Sequence, residues 1–187
     1  MTELRESVLV LGLGNDLLGD DAVGLHVARA AAMRLAGVDG CAVRESIEMG
    51  LTLLDEISGC EHLLLVDSIE TGAAPGFVHE FDADCLKGRR IAAPHFVGIA
   101  ETLELGGLLG LPMPGDVQVF AIEVRAAYTI RLALTPDVQR AVAEAAERIS
   151  ARAISLLQPG ALGTGPIVGT GSLTGPGTTA ERRLSVS

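Results

Sequence analysis

With 187 residues and a formal net charge of −10, the chain has the size of one domain, and its field repels phosphate backbones and anionic lipid, which argues against nucleic acid and membrane surfaces as partners. Three cysteines without a CxxC pair and an aromatic content of 3% with no Trp leave no basis for a disulfide framework, a thiolate zinc site or base-stacking platforms. No segment reaches the roughly 18 uninterrupted apolar residues of a membrane span, and the start MTELRESVLV lacks the basic, apolar, small-residue order of a secretory signal. A soluble, cytoplasmic, monomeric protein is expected.

The first element is a short apolar run over 7–11 that ends at Gly12 and reads as a strand buried on both faces. Gly24 to Leu35 carries Val27, Ala30, Ala31 and Leu35 near one face and reads as a helix. A second strand is predicted over Cys41 to Ser46, with a short helix over Met49 to Ile57 behind it. "HLLLVD", His62 to Asp67, is the clearest buried strand, and Gly76 to Phe81 alternates like an edge strand after the turn-forming "TGAAPG". A helix over Val97 to Leu109 and a strand over Val117 to Ile122 follow. In "LTPD", Thr135 is placed as the N-cap and Pro136 at the first position of a helix that continues to Leu157. Strands alternating with helices predict a three-layer α/β/α fold, with a mostly parallel twisted sheet of about five strands and one antiparallel edge strand. Residues 1–158 form its single domain, and the Gly-, Thr-, Ser- and Pro-rich stretch 159–187 is expected to be a disordered tail.

Ligands of open α/β sheets bind beyond the carboxyl ends of the strands. Three polar features are predicted there: the loop with Asn15, Asp16, Asp20 and Asp21; Asp67 at the end of the third strand; and His95 in "APHFVG" before a helix. Two carboxylates and an imidazole suit a divalent transition metal, in which case the glycines let the loop turn tightly while one acid faces the ion. Each residue also has a structural alternative. Asp20 or Asp21 suits a helix N-cap, Asp67 can cap a turn, and a lone histidine such as His95 is more often a packing residue. Ser68 has no evident base partner, while His26 and His79 suit solvated or packing roles better than ligation. Gly12, Gly14 and Gly19 miss the G-x-G-x-x-G spacing, and the acids behind them would repel a pyrophosphate, so a dinucleotide site is disfavoured. G-K-[ST] and G-x-S-x-G are both missing.

The string G-x-G-N-x-L-x-x-D-[DE]-x-x-G, present as Gly12, Gly14, Asn15, Leu17, Asp20, Asp21 and Gly24, resembles the N-terminal signature of the [NiFe]-hydrogenase maturation endopeptidases. The resemblance continues in order through "GLTLLDEI", "HLLLVDSI", "PGFVHEF", "PHFVGIAETL", "VFAIE" and "LTPDV", from Val8 to Leu157. It implies a protease that removes a C-terminal extension from the hydrogenase large-subunit precursor once nickel is in place. It also implies a metal-binding and catalytic trio of Asp21, Asp67 and His95, completing the coordination of nickel supplied by the substrate, with no tightly bound metal of the enzyme's own. Glu45, where many relatives carry an Asp linked to nickel or substrate recognition, is expected to take that role with Asn15 and Asp20; the departure of "SIEMG" from the family pattern leaves Glu48 as an alternative. Two other functions use the same acids: a self-contained metallohydrolase that keeps its own zinc or nickel, and a non-catalytic nickel chaperone or scaffold for the precursor.

Overall fold

The computed structural model of the protein describes residues 6–48, 50–83, 99–125, 130 and 132–158. Five strands form one sheet: β1 (Val8–Leu13), β2 (Cys41–Ser46), β3 (His62–Ile69), β4 (Val78–Asp82) and β5 (Asp116–Glu123), in the order β2-β1-β3-β5-β4. Neighbours pair in parallel except β4, which runs antiparallel to β5 at the edge. Helices α1 (Val23–Arg34) and α4 (Pro136–Leu156) cover one face, and α2 (Leu54–Ile57) and α3 (Ile99–Leu108) the other. The expected three-layer α/β/α fold is therefore present. None of the described helices is long and apolar enough to cross a membrane.

The period-two alternation of the strands decides which layer each side chain meets. From β3, Leu64 and Val66 join Val8, Val10, Phe120 and Ile122 beneath α1 and α4, whereas Leu63, Leu65 and Ile69 join Leu9, Leu11, Val119 and Ala121 beneath α2 and α3. Every residue of β1 is buried and β3 is buried from Leu63 onward, as the continuous apolar runs require of central strands covered on both faces. Each fully buried Leu, Val or Ile contributes about 1.5–3 kcal/mol. Helix α4 presents Val138, Val142, Ala145, Ile149 and Ala153 to the sheet, at the three-and-four spacing of an amphipathic helix.

Several boundaries differ from the sequence-based expectation. β1 runs through Gly12 to Leu13, and β3 continues past Asp67 to Ile69 because Ser68 pairs with Ile122 and Ile69 with Glu123 across the β3–β5 ladder. Asp67 therefore lies inside a strand rather than at its end. The helix expected over Met49 to Ile57 is a 3-10 turn over Gly50–Leu53 followed by the single turn of α2, with Met49 outside the described residues. The tail expected from Pro159 onward also lies outside them.

Candidate functional site

The sheet order reverses direction at β1, with β2 on one side and β3 on the other, so the carboxyl ends of β1 and β3 flank the topological switch point where open α/β sheets place their ligands. The chain leaves β1 through Gly14 and enters a 3-10 turn over Gly19–Ala22 that leads directly into α1. The signature glycines serve packing more than turning. A Cβ on Gly24 would strike the carbonyl oxygens of Leu13 and Val66, one on Gly12 would strike the Gly24 carbonyl and Ala28, and one on Gly14, at φ +152°, would strike the Asp21 carbonyl. Helix α1 thus starts in direct backbone contact with β1 and β3, an approach closed to any larger residue. Gly19, at φ +58°, is the position where the loop requires a left-handed turn.

That close approach carries Asp20 and Asp21 beneath the sheet edge, where they are 2% and 1% exposed. Neither occupies an N-cap position, since Leu18 precedes the 3-10 turn and Ala22 precedes α1, which corrects the N-cap alternative. Asp20 accepts the backbone N–H of Thr135 at 2.6 Å and the Thr135 hydroxyl at 2.9 Å. It therefore anchors the start of α4, and Thr135, the residue preceding that helix, makes no capping hydrogen bond with its own side chain. Asp21 accepts the Ser68 hydroxyl at 3.0 Å, and the Ser68 N–H donates to Asp67 Oδ1 at 2.7 Å. One residue of β3 therefore connects the two carboxylates, Ser68 toward the α1 layer and Asp67 on the face covered by α2 and α3. All three are buried, Asp67 fully.

The third expected ligand, His95, lies outside the described residues, as does Cys85. Among the described residues no group of three or more His, Cys, Asp and Glu side chains is placed to hold a metal ion. The described part of the trio is thus two buried carboxylates that each accept a hydrogen bond from Ser68, one from its hydroxyl and one from its backbone N–H; carboxylate donors suit a hard or borderline cation.

The expected recognition residues fall on the same edge but outside this buried pair. Asn15 shapes the loop: its side-chain oxygen accepts the Leu17 N–H at 3.0 Å and its carbonyl the Leu18 N–H at 3.0 Å. Glu45, near the end of β2, pairs with Arg29 of α1 at 2.7 Å, and Arg29 also reaches Asp16 at 3.2 Å. The Glu45 carboxylate, followed by Asp16, holds the Arg29 guanidinium above its ordinary value, against the opposing effect of burial. Glu48 is exposed, and its N–H donates to Ser46 Oγ at 3.1 Å.

Sequence reasoning missed two features of this edge. The partner of Ser68 is a carboxylate 47 residues earlier, and its signal was strand alternation: extending β3 by two residues turns Ser68 toward the start of α1. The other is Glu123, 1% exposed at the end of β5. One of its oxygens accepts the N–H groups of Thr71, Gly72 and Ala73 at 2.8, 2.8 and 3.1 Å, and the other pairs with the Thr71 hydroxyl at 2.8 Å and His79 Nε2 at 3.0 Å. His79 also meets the Phe77 ring edge-on, at 4.8 Å between centroids. A single acid ending an apolar strand, opposite a Gly- and Thr-containing turn, was the available clue.

Comparison with known proteins agrees with this architecture. A model described as hydrogenase maturation protease matches residues 47–152, so its match begins beyond the glycine-rich signature. The chain is 27% identical over 148 residues to the hydrogenase 2 maturation protease of Escherichia coli (strain K12), covering 77% of this chain and 88% of that protein. It is 24% identical over 160 residues to the hydrogenase expression/formation protein HupM of Azotobacter chroococcum mcd 1, covering 79% and 76%. Among solved structures, the hydrogenase maturating endopeptidase HybD from E. coli superposes with a TM-score of 0.67 at 27% identity, covering 78% of this chain and 90% of that one. The [NiFe] hydrogenase maturation protease HybD from Thermococcus kodakarensis superposes with a TM-score of 0.60 at 26% identity, covering 78% and 98%.

Proposed function

Because the chain belongs to the hydrogenase maturation protease family and is accordingly a peptide hydrolase, we propose that it removes the C-terminal extension of the large-subunit precursor of a [NiFe] hydrogenase after nickel insertion. The observation that carries this reading is the buried pair Asp21 and Asp67, joined through Ser68 at the carboxyl edge of β1 and β3. Two buried carboxylates are costly unless compensated by hydrogen bonds or a cation, and a cation arriving with the substrate gives that arrangement a use.

In this reading the precursor's nickel, held by the precursor's own cysteines, docks against Asp21, Asp67 and His95, and the enzyme keeps no tightly bound metal. Nickel placed there polarises the scissile carbonyl or lowers the pKa of a bound water. A carboxylate of the site that the ion does not hold tightly, Asp20, Asp21 or Asp67, accepts the water's proton and returns it to the leaving amine, a contribution of about 10²–10⁴-fold. Asn15 and Asp20 contribute by shaping the loop and fixing α4 beside it, and Glu45 with its Arg29 partner forms the recognition rim. The domain comprises residues 1–158, acts as a monomer and works in the cytoplasm.

The test compares nickel-loaded and nickel-free precursor, with the released C-terminal peptide read by mass spectrometry. The expected result is a single cut near the C-terminus of the loaded form alone, abolished by Asp21→Ala, Asp67→Ala and His95→Ala. Equal cutting of both precursors would overturn the role of substrate nickel. Stoichiometric metal in the purified protein would favour a self-contained metallohydrolase, and stable binding without any cut would favour a scaffold.

A further inference from the structure

Ser68 stands out among the buried polar side chains because its two polar groups act on two different acids. The backbone N–H donates to Asp67 Oδ1 at 2.7 Å and the hydroxyl to Asp21 Oδ1 at 3.0 Å. The N–H is present whatever side chain occupies the position; the hydroxyl is what this residue type adds. The backbone at Ser68 is fixed by its pairing with Ile122 in β5, and the side chain is 2% exposed, so it has little freedom to turn elsewhere. Its proton is directed at a carboxylate oxygen, which fixes the rotamer of that carboxylate.

We propose that Ser68 is a positioning residue: its hydroxyl holds Asp21 Oδ1 so that the Asp21 carboxylate meets the cation delivered by the substrate in one fixed orientation. The proposal rests on the preceding reading of Asp21 as a group that contacts substrate nickel, and it adds a role for a residue outside the trio. Hydrogen bonds of this kind to a ligating carboxylate restrict how the ligand presents itself, and their loss typically costs about 10- to 100-fold in metal affinity or activity. Because the Asp67 contact comes from the backbone, Ser68→Ala removes the Asp21 contact alone.

The experiment measures binding and cleavage of nickel-loaded and nickel-free precursor by the full chain and by Ser68→Ala, Ser68→Thr, Ser68→Cys and Asp21→Ala, with a thermal melt of each. Ser68→Ala is expected to bind nickel-free precursor like wild type while binding or cutting the loaded form about 10- to 100-fold less well. Ser68→Thr restores most of that loss, and Ser68→Cys, which keeps the volume but offers a weaker donor, falls between them. A merely structural role would weaken both precursors equally in step with the melt, and that result overturns the proposal. So does a folded Ser68→Ala that handles loaded precursor like wild type while Asp21→Ala fails, or a covalent acyl adduct on Ser68, which would make it the nucleophile. Normal cutting by Asp21→Ala would instead remove the underlying reading of the site, and the proposal with it.

Discussion

Glu123→Ala is expected to unfasten the turn between β3 and β4. The carboxylate is 1% exposed and pairs with five groups: the N–H groups of Thr71, Gly72 and Ala73, the Thr71 hydroxyl and the His79 ring. Hydrogen bonds to a charged group contribute about 1.5–3 kcal/mol each, but the sum overstates the loss. Gly72 is exposed and Thr71 and Ala73 are half-buried, so their N–H groups regain water when the acid is gone. The net cost should be about 3 kcal/mol, set mainly by the His79 and hydroxyl contacts and the emptied side-chain volume. For a domain of this size that corresponds to a fall of about 6–12 °C in the melting midpoint. Glu123→Gln keeps one carbonyl oxygen for the three N–H groups and an amide that can donate to the Thr71 hydroxyl, so it should lose only about 1 kcal/mol, or about 2–4 °C. Calorimetry measures both, and amide hydrogen exchange at Thr71, Gly72 and Ala73 locates the effect, since their protection should collapse in the Ala variant first. An Ala variant that melts within about 2 °C of wild type, or a Gln variant as damaged as Ala, would refute this account of Glu123.

Asp20→Ala removes the acceptor for Thr135 and should cost about 2–3 kcal/mol, whereas Thr135→Val, which keeps the N–H contact, should cost about 1; chemical denaturation of the two variants and their double mutant should show strong non-additivity. Gly24→Ala drives a Cβ into the carbonyls of Leu13 and Val66 and should destabilise by about 1–3 kcal/mol or prevent folding, while Gly107→Ala, whose Cβ meets nothing, should stabilise α3 by about 0.5–1 kcal/mol in the same melt. Burial pushes the Cys60 thiol up to about 11 from 9.0, so alkylation at pH 8 should spare Cys60 in the folded chain and reach it after denaturation. The sign for stability follows: the folded state retains the thiol proton, so this contribution is complete below about pH 9 and is lost as pH rises towards 11.

The alternation of apolar runs with amphipathic ones carried the layer architecture, because strands covered on both faces must be apolar throughout and the helices covering them must show one apolar stripe. Asp21 and Asp67 were each legible as candidates for a related reason: both follow or interrupt such runs at the edge where ligands gather. The contacts that organise them were not. Asp20 reaches Thr135 across 115 residues and Asp21 reaches Ser68 across 47, separations at which periodicity carries no information. The end of β3 was misplaced because Asp67 and Ser68 look like the polar residues that close a strand. Their pairing with Ala121 and Ile122 on β5 keeps them inside it, and only that partner strand could reveal the extension.

The adjacency of Asp20 and Asp21 follows from the glycines around them. Gly12 and Gly24 let α1 begin in contact with β1 and β3, so the turn just before α1 is pressed under the sheet edge instead of projecting into solvent. Consecutive residues in a tight turn point in different directions, and here those directions lead to two different elements: Asp20 to the start of α4 and Asp21 to Ser68 on β3. One acid therefore anchors the start of α4, and the other accepts the hydroxyl of Ser68, the residue next to Asp67. Exchanging them tests this division directly. Asp20→Asn should lower stability, since the amide offers the Thr135 pair only one acceptor oxygen, and leave cleavage of nickel-loaded precursor within about threefold of wild type, because the Ser68 contact is untouched. Asp21→Asn should do the reverse, melting close to wild type while losing cleavage. If the two variants behave alike in both assays, the two acids are not divided between structure and chemistry, and the packing of α1 against β1 and β3 does not separate their roles.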